Sequence, residues 1–201
     1  MSPEMAAARL GKMTASKAAV VMSKIGPNGG MTDGLAEYIQ SLAFERVFGD
    51  SEELGYQSKA MERGNELEPL AIEWYAFNTD TTPSIGGTVI VHPDMPYVAA
   101  TPDGRLPDRV IEAKCFLHRA WMFAEENRLV PSTYRWQTKW QQWVCGVRLC
   151  DFVVWHHKGG GFVIQTSVTE SEIEQMRDRA ILVNCKVEER MDDLLSRRKA
   201  A

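Results

Sequence analysis

The stretch "TPDGRLPDRVIEAKC" (residues 101–115) places an acid and a base inside an apolar segment. Residues 110–116 have the composition of a strand, and the Asp, Pro and Gly residues before them are typical of turns. Because strand side chains alternate between the two faces, Glu112 and Lys114 share one face. Asp103 lies in the P-D-G turn that precedes this strand, where its carboxylate can point toward Glu112 and Lys114.

Two interpretations of this charged pair follow from its spacing. A carboxylate and an ammonium removed from water cost free energy unless they are paired or bind a ligand. A hard divalent cation would satisfy Glu112 together with Asp103, and a phosphate would satisfy Lys114. The alternative is an exposed ion pair between Glu112 and Lys114 on an edge strand, and the spacing alone leaves both open.

The composition is that of a globular domain without a bulk affinity for nucleic acid. The chain has 201 residues, 44% of them hydrophobic, and we expect one domain over residues 1–201. A net charge of −4 argues against binding of nucleic acid by overall electrostatics, because such domains are usually basic. An enzyme acting on nucleic acid is not excluded, since bound metal ions add positive charge that the sequence sum omits.

The cysteines and the apolar runs predict a soluble, intracellular protein. The four cysteines, at positions 115, 145, 150 and 185, form neither a CxxC pair nor a zinc-binding spacing, and we expect reduced thiols. No apolar run has the length of a membrane span, and the first residues lack the basic-then-apolar order of a secretory signal.

The first half of the chain has a helical pattern. After a loop over residues 23–34, Thr32 is positioned to cap a helix that ends near Gly49. A second helical pattern starts near Ser58, with Gly64 and Pro69 inside it as expected points of interruption.

The second half has a mixed pattern. Strands are predicted over residues 88–92, 97–101 and 110–116, and a glycine-centred hairpin is predicted around residues 159–161. Helices are predicted over residues 117–129 and 131–147, and from the capping-box pair Thr169 and Glu172 onward. This order predicts a mixed α/β (α+β) fold with one central sheet flanked by helices.

Several other side chains are interpreted as structural or solvent-exposed rather than functional. Trp136, Trp140 and Trp143 recur at helical spacing and are expected in the core. His156 and His157 point to opposite faces of a strand, so they are expected to be hairpin residues rather than ligands of one metal ion. Gln137 and Gln141 are four residues apart, which by itself indicates a solvated helix face.

The chain resembles the lambda-type viral exonucleases, the YqaJ-like viral recombinase family within the PD-(D/E)xK nucleases. The resemblance lies in five segments, in the family's order: "ARLGKMTAS" (8–16), "RGNELEPLA" (63–71), "ATPDG" (100–104), "IEAKC" (111–115) and "WQTKWQQWV" (136–144). It implies a restriction-endonuclease-like core, with a central mixed β-sheet flanked by helices.

The resemblance implies catalytic roles for Asp103, Glu112, Glu68, Lys114 and Gln137. Asp103 and Glu112 would be metal ligands, with the backbone carbonyl of Ala113 as a third. Glu68 would reach a second metal ion from its helix. Lys114 would position the attacking water and help to deprotonate it.

The resemblance also assigns roles around the metal ligands and the lysine. Gln137 would orient the water or the lysine. Arg9, Ser16 and Thr101 would bind the 5′-phosphate of a DNA end, which suits an arginine fork and hydroxyl groups. Asp94, where relatives also carry an acid, would play a supporting part.

The function implied is a 5′-to-3′ exonuclease on double-stranded DNA that uses Mg²⁺, or Mn²⁺, with two ions in the site. It would release mononucleotides and leave a 3′ single strand for a single-strand annealing protein in phage-type recombination. A homotrimeric ring in the cytoplasm of a bacterial host is implied as well. Two alternatives stay open: a structure-specific or restriction-type endonuclease, and a non-catalytic module that binds DNA ends.

Overall fold

The computed structural model describes residues 2–26, 29–51 and 59–200. Pro27, Asn28 and Ser58, which belong to the predicted loop and the predicted helix start, lie outside the described residues. The described helices are α1 (Pro3–Arg9), α2 (Ala18–Val21), α3 (Asp33–Phe48), α4 (Lys59–Thr79), α5 (His118–Asn127), α6 (Ser132–Val144) and α7 (Glu170–Ala200). The described strands are β1 (Met13–Thr14), β2 (Ser84–Ile85), β3 (Ile90–His92), β4 (Met95–Ala100), β5 (Gly104–Leu106), β6 (Arg109–Cys115), β7 (Leu149–His156) and β8 (Gly160–Ser167).

The N-terminal segment is fastened to α3 at Gly11. Its N–H donates to Glu45 Oε2 at 2.7 Å, and its carbonyl accepts from Arg46 Nε at 2.8 Å. Gly11 has a φ of +67°, and a Cβ there would lie 2.7 Å from Arg46 Cγ. Both the backbone conformation and the close approach of the arginine therefore require glycine at this position.

The caps predicted from the sequence are confirmed. Thr32 Oγ1 accepts from the N–H of Leu35 at 3.3 Å, and α3 ends at Gly49 in the left-handed conformation. At the start of α7, the N–H of Glu172 donates to Thr169 Oγ1 at 3.2 Å, while Glu172 Oε2 accepts from the N–H of Thr169 at 3.1 Å. These are the two reciprocal bonds of a capping box.

The interruption expected in the second helix does not occur, because α4 runs unbroken through Gly64 and Pro69. Pro69 cannot donate to the carbonyl of Asn65, four residues earlier. Both residues lie on the exposed side of the helix, where water can bind the freed carbonyl.

The mixed α/β class is confirmed, but the strands form two sheets rather than one. The first has the order β1-β4-β3 and the second has the order β2-β5-β6-β7-β8. The chain leaves the first sheet after Ala100, and in the next turn the N–H of Asp103 donates to the carbonyl of Ile111 at 3.0 Å. The strand at 97–101 and the strand at 110–116 therefore belong to different sheets, because the P-D-G turn redirects the chain between them.

The five-stranded sheet has β6 at its centre and helices on both faces. β6 pairs antiparallel with β5 and parallel with β7. On one face, Ile111, Ala113 and Val153 pack against residues of α4. On the other face, Phe152 and Val154 pack against Ala124 of α5, with Tyr134 of α6 beside them.

A second core joins α2, α3, α6, α7 and the three-stranded sheet. Trp140 is fully buried there and donates its indole N–H to the carbonyl of Ala99 at 3.2 Å. Trp143 is buried and Trp136 packs partly buried against the same core. The core assignment of the three tryptophans is confirmed. All four cysteines are free thiols, as predicted. Within the described ranges, none of the helices has the length and apolar character of a membrane span.

A buried polar network ties α4 to the sheet. Asp151 on β7 is 4% exposed, and its Oδ2 accepts from Tyr75 Oη at 2.6 Å and from Arg109 Nη1 at 3.1 Å. Its Oδ1 accepts from Gln165 Nε2 at 3.1 Å. Burial and the hydrogen bond to Asp151 raise the pKa of Tyr75, so this hydroxyl remains a donor at neutral pH.

We expect Tyr75→Phe to lower the free energy of unfolding by about 1–3 kcal/mol, because a buried carboxylate loses a donor. Urea denaturation checks this. Tyr97→Phe is the control, since Tyr97 is only partly buried and its ring contact with Arg46 is kept by phenylalanine, and it should cost much less. Equal losses in the two variants would contradict the role given to this bond.

Candidate active site

Glu112 is a buried carboxylate at the centre of the five-stranded sheet. It is 1% exposed, although it stands on a strand whose neighbours are mostly apolar. Its Oε1 accepts from Lys114 Nζ and from Gln137 Nε2, and its Oε2 accepts from Gln141 Nε2 at 2.5 Å. The interpretation as an exposed ion pair on an edge strand is therefore wrong.

The chain's local structure explains why these groups meet. Glu112 and Lys114 alternate with Ala113 on β6, so both point to the face shared by Phe152 and Val154 of β7. Helix α6 crosses that face. Gln137 and Gln141 are one helical turn apart, which lets both amides reach the same carboxylate.

Asp103 is brought to the strand by the P-D-G turn, as predicted. Its Oδ2 accepts from the N–H of Ala113 at 2.8 Å, which ties the turn to the middle of β6. Burial, the charge of Glu112 and then that of Glu68 raise the pKa of Asp103 well above its usual range, while Lys114 opposes the shift. Three carboxylates therefore act on one another across this site.

Glu68 reaches the same electrostatic environment from α4. Burial raises its pKa, Lys114 lowers it, and Glu112 raises it again. The helix start is fixed to the end of β6, because Arg63 Nη1 donates to the carbonyl of Cys115 at 3.0 Å. This bond sets the position of Glu68, little more than one turn further along α4.

Lys114 is the cation of the cluster. Its side chain is one quarter exposed, and its Nζ lies 5.4 Å from the ring centroid of Tyr134. Burial lowers its pKa, but the carboxylates of Glu112 and Asp103 outweigh burial and raise the pKa above the ordinary value. Lys114 is therefore an ammonium group at neutral pH in this arrangement.

The donor set suits a hard divalent cation. Asp103, Glu112 and Glu68 supply only oxygen, and one ammonium does not balance three carboxylates. Within the described part of the chain, however, no three His, Cys, Asp or Glu side chains are arranged as a ready metal cage. The oxygens of Glu112 are already occupied by three nitrogen donors, so a cation here would have to replace some of these bonds.

Two of the predicted phosphate-binding residues follow neighbouring strands, and the third, Arg9, ends α1. Arg9 Nη2 donates to Ser16 Oγ at 3.2 Å. β1 pairs parallel with β4, Thr14 opposite Ala99, so Ser16 and Thr101 follow these strands at the same end. Arg9 and Ser16 are in contact, and the register places Thr101 on the adjacent strand.

Asp94, expected to play a supporting part, lies apart from the carboxylate cluster, and its part stays a prediction. It is exposed in the turn before β4, where its N–H donates to Nδ1 of His92 at 3.2 Å. Thr101 and the P-D-G turn follow the other end of β4, about 20 Å away along a six-residue strand.

Gln141 is the residue of the site that the sequence interpretation missed. It is fully buried, and it contacts Glu112 as directly as Gln137 does. The spacing of Gln137 and Gln141 is the feature of the sequence that indicates this contact, because two amides one turn apart lie on one helix face. The same spacing is common on solvated faces, and only the position of α6 over the sheet distinguishes the two cases.

Comparisons with known proteins show what the whole chain is similar to. The model of the YqaJ-like viral recombinase domain matches residues 4–148. The alkaline exonuclease LHK-Exo from Laribacter hongkongensis is 27% identical, with a TM-score of 0.87 over 99% of this chain and 98% of that one. The structure of LHK-Exo in complex with dAMP, also 27% identical, gives a TM-score of 0.88 over 100% of both chains.

A more distant solved structure shares the fold alone. The phage-related exonuclease from Haemophilus somnus 129PT is 14% identical, with a TM-score of 0.69 over 93% of this chain and 96% of that chain. No curated protein matches the sequence.

We expect Gln141→Leu to lower the free energy of unfolding by about 1–3 kcal/mol, because a buried carboxylate oxygen loses its donor. Gln141→Glu should cost more at neutral pH, since a second carboxylate would face Glu112. Chemical denaturation measures both, with the exposed Gln175→Leu on α7 as the matched control. A Gln141→Leu protein as stable as the control would show that the bond contributes nothing.

Proposed function

Because the chain belongs to the family of YqaJ-like viral recombinase domains, we propose that it is a 5′-to-3′ exonuclease on double-stranded DNA. It would depend on Mg²⁺, with Mn²⁺ as the other candidate, and residues 1–201 would form one nuclease domain. The observation that carries the proposal is the buried Glu112, held by Lys114, Gln137 and Gln141 beside Asp103. The likeness to LHK-Exo, an alkaline exonuclease also solved with the mononucleotide dAMP, supports the same activity.

Two metal ions would be held by the carboxylate cluster. Asp103, Glu112 and the carbonyl of Ala113 would ligate one, and Glu68 would serve the other from α4. When bound, the ions would supply charge stabilisation at the phosphorus and a hydroxide nucleophile near neutral pH. Burial raises the pKa of Asp103, and the charges of Glu112 and Glu68 raise it further. This favours the assignment, because a divalent cation would relieve that repulsion.

The chain's own residues would position the reacting groups. Lys114, protonated because of Glu112 and Asp103, would donate hydrogen bonds to the attacking water or to the oxygens of the scissile phosphate. As an ammonium group it cannot accept the proton of the water. It would first have to lose its own proton, which compensation of the negative charge of its neighbours would favour. Gln137 and Gln141 would hold Glu112 in one orientation, and Gln137 would also orient the water or the lysine.

The 5′-terminal phosphate would be bound by Arg9, Ser16 and Thr101. An arginine and hydroxyl groups suit a phosphate with charge-assisted hydrogen bonds. Arg9 and Ser16 already contact each other at 3.2 Å, which prearranges part of the pocket. Recognition of the terminal phosphate would set the direction of digestion, because the scissile bond then lies at a fixed distance from the 5′ end.

The proposal includes a place in recombination. Hydrolysis would release 5′-mononucleotides and expose a 3′ single strand for a single-strand annealing protein in the cytoplasm of a bacterial host. A homotrimeric ring around the DNA would retain a chain of net charge −4 on its substrate without an extended basic surface.

Digestion of a linear duplex tests the activity. We expect mononucleotides from the 5′-phosphorylated strand in Mg²⁺, slower digestion without the 5′-phosphate, and none in EDTA, because the carboxylates need the metal. End-labelled strands on a denaturing gel report polarity and product size. Cleavage of covalently closed circular duplex would instead indicate an endonuclease, and binding without hydrolysis would indicate a DNA-end-binding module.

Two substitutions test the cluster. Lys114→Met is expected to lower the rate of hydrolysis by about 10²–10⁴-fold, because a group that handles the water proton is lost. Glu68→Gln should lower it as well, whereas Glu66→Gln, an exposed glutamate on the same helix, should leave it unchanged. Single-turnover rates on the linear duplex measure the effect. An active Lys114→Met protein would remove the basis of the proposed mechanism.

A further inference from the structure

Five basic residues lie just beyond the catalytic strand, outside the roles assigned so far. They come from the start of α4, the start of α5 and the hairpin between β7 and β8. We name the group the histidine edge: Arg63, His118, His156, His157 and Lys158.

The sheet register explains why these residues converge. β6 and β7 are parallel, with Lys114 opposite Val154 and Cys115 opposite Trp155. The N–H of Phe116 still donates to the carbonyl of Trp155 at 3.0 Å, so the two strands end side by side. His118 follows one strand and His157 follows the other, and Arg63 is held to the carbonyl of Cys115 at 3.0 Å.

The hairpin fixes the orientation of His156. Its Nδ1 accepts from the N–H groups of Lys158 at 3.2 Å and of Gly159 at 3.1 Å. Nδ1 is therefore the acceptor, and the proton of the neutral ring lies on Nε2. The ring of His157 lies 4.6 Å away between centroids, and the indole of Trp121 lies 6.1 Å away.

The charges of the histidine edge are not balanced by carboxylates. Within the described ranges, none of its members forms an ion pair with Asp or Glu, whereas Lys139, Arg148 and Lys186 elsewhere in the chain all do. Burial lowers the pKa of His156, and the charges of His157, Arg63, His118 and Lys158 lower it further. A chain of net charge −4, counted with neutral histidines, thus keeps two cations, Arg63 and Lys158, among three imidazoles beside its catalytic strand.

We infer that the histidine edge binds the phosphodiester backbone of the DNA strand next to the scissile phosphate. This inference rests on the proposed function. His156 stands two residues beyond the partner of Lys114, about 7 Å along the strand. A DNA strand bound at Lys114 and continuing past this end of β7 would bring its neighbouring phosphates to the edge.

The chemistry of the edge favours a phosphate over a metal ion. Arg63 and Lys158 are cations at neutral pH, and His156 presents an N–H donor. Nδ1 of His156 is already used by the hairpin, and no third metal-ligating side chain completes a site among the described residues. Contacts of this kind carry no sequence information and contribute affinity through counterion release.

Binding in EDTA tests the inference without hydrolysis. We would measure the anisotropy of a labelled 5′-phosphorylated duplex against the full chain over a series of salt concentrations. The variant is His157→Ala with Lys158→Ala, both exposed hairpin residues, and Lys186→Ala on α7 is the matched control. Thermal unfolding verifies that each variant is folded.

The double variant should bind several-fold more weakly, equally for unrelated sequences. The slope of log K against log salt should decrease in magnitude by about 0.9 for each lost phosphate contact on duplex DNA. Lys158→Arg should restore binding relative to Lys158→Ala, and Lys186→Ala should match the wild type.

An unchanged slope and affinity in the double variant would overturn the inference and leave the proposed function intact. Affinity that appears only on addition of Zn²⁺ would also overturn it in favour of a metal site. Wild-type protein that neither binds nor degrades duplex DNA would overturn both proposals together.

Discussion

The carboxylate of Glu112 is the constraint on which the site depends. It lies at the centre of a sheet and is 1% exposed, and a buried carboxylate without donors would cost more free energy than a domain of this size can lose. Lys114 from the same strand and two glutamines from α6 supply the donors. The packing of α6 on the sheet is therefore coupled to the charge of the site, and movement of the helix would change both.

The topology of the sheet itself brings these donors to Glu112. Parallel strands need a crossover connection, and the one between β6 and β7 contains α5 and α6. The crossover covers the face that carries Glu112 and Lys114, while α4 covers the opposite face. The same connection that closes the sheet thus places Gln137 and Gln141 over the carboxylate. On the α4 side, Asp151 is satisfied in a similar way by Tyr75 and Arg109.

The net charge of the chain does not show how charged side chains are distributed along β6. The carboxylates of Asp103, Glu112 and Glu68 form a negative pocket around one lysine, and the unpaired basic residues follow directly at the ends of β6 and β7. Carboxylates next to basic side chains suit the metal ions and phosphates of the proposed function. The potential that matters for binding is local, because a formal charge of −4 sums over residues that lie on other faces.

The sequence by itself determined what depends on near neighbours in the chain. Strand alternation placed Glu112 and Lys114 on one face, the P-D-G turn aimed Asp103, and Thr32 and Thr169 marked helix starts, because period and capping act over a few residues. Only the tertiary structure decided that the strands form two sheets, that Asp94 lies at the far end of β4, and that Gln141 is buried rather than solvated. Strands as short as β2 and β5 are too short to show an alternation of apolar and polar residues in the sequence. Their pairing, like the burial of a glutamine, is set by contacts between segments far apart in the chain.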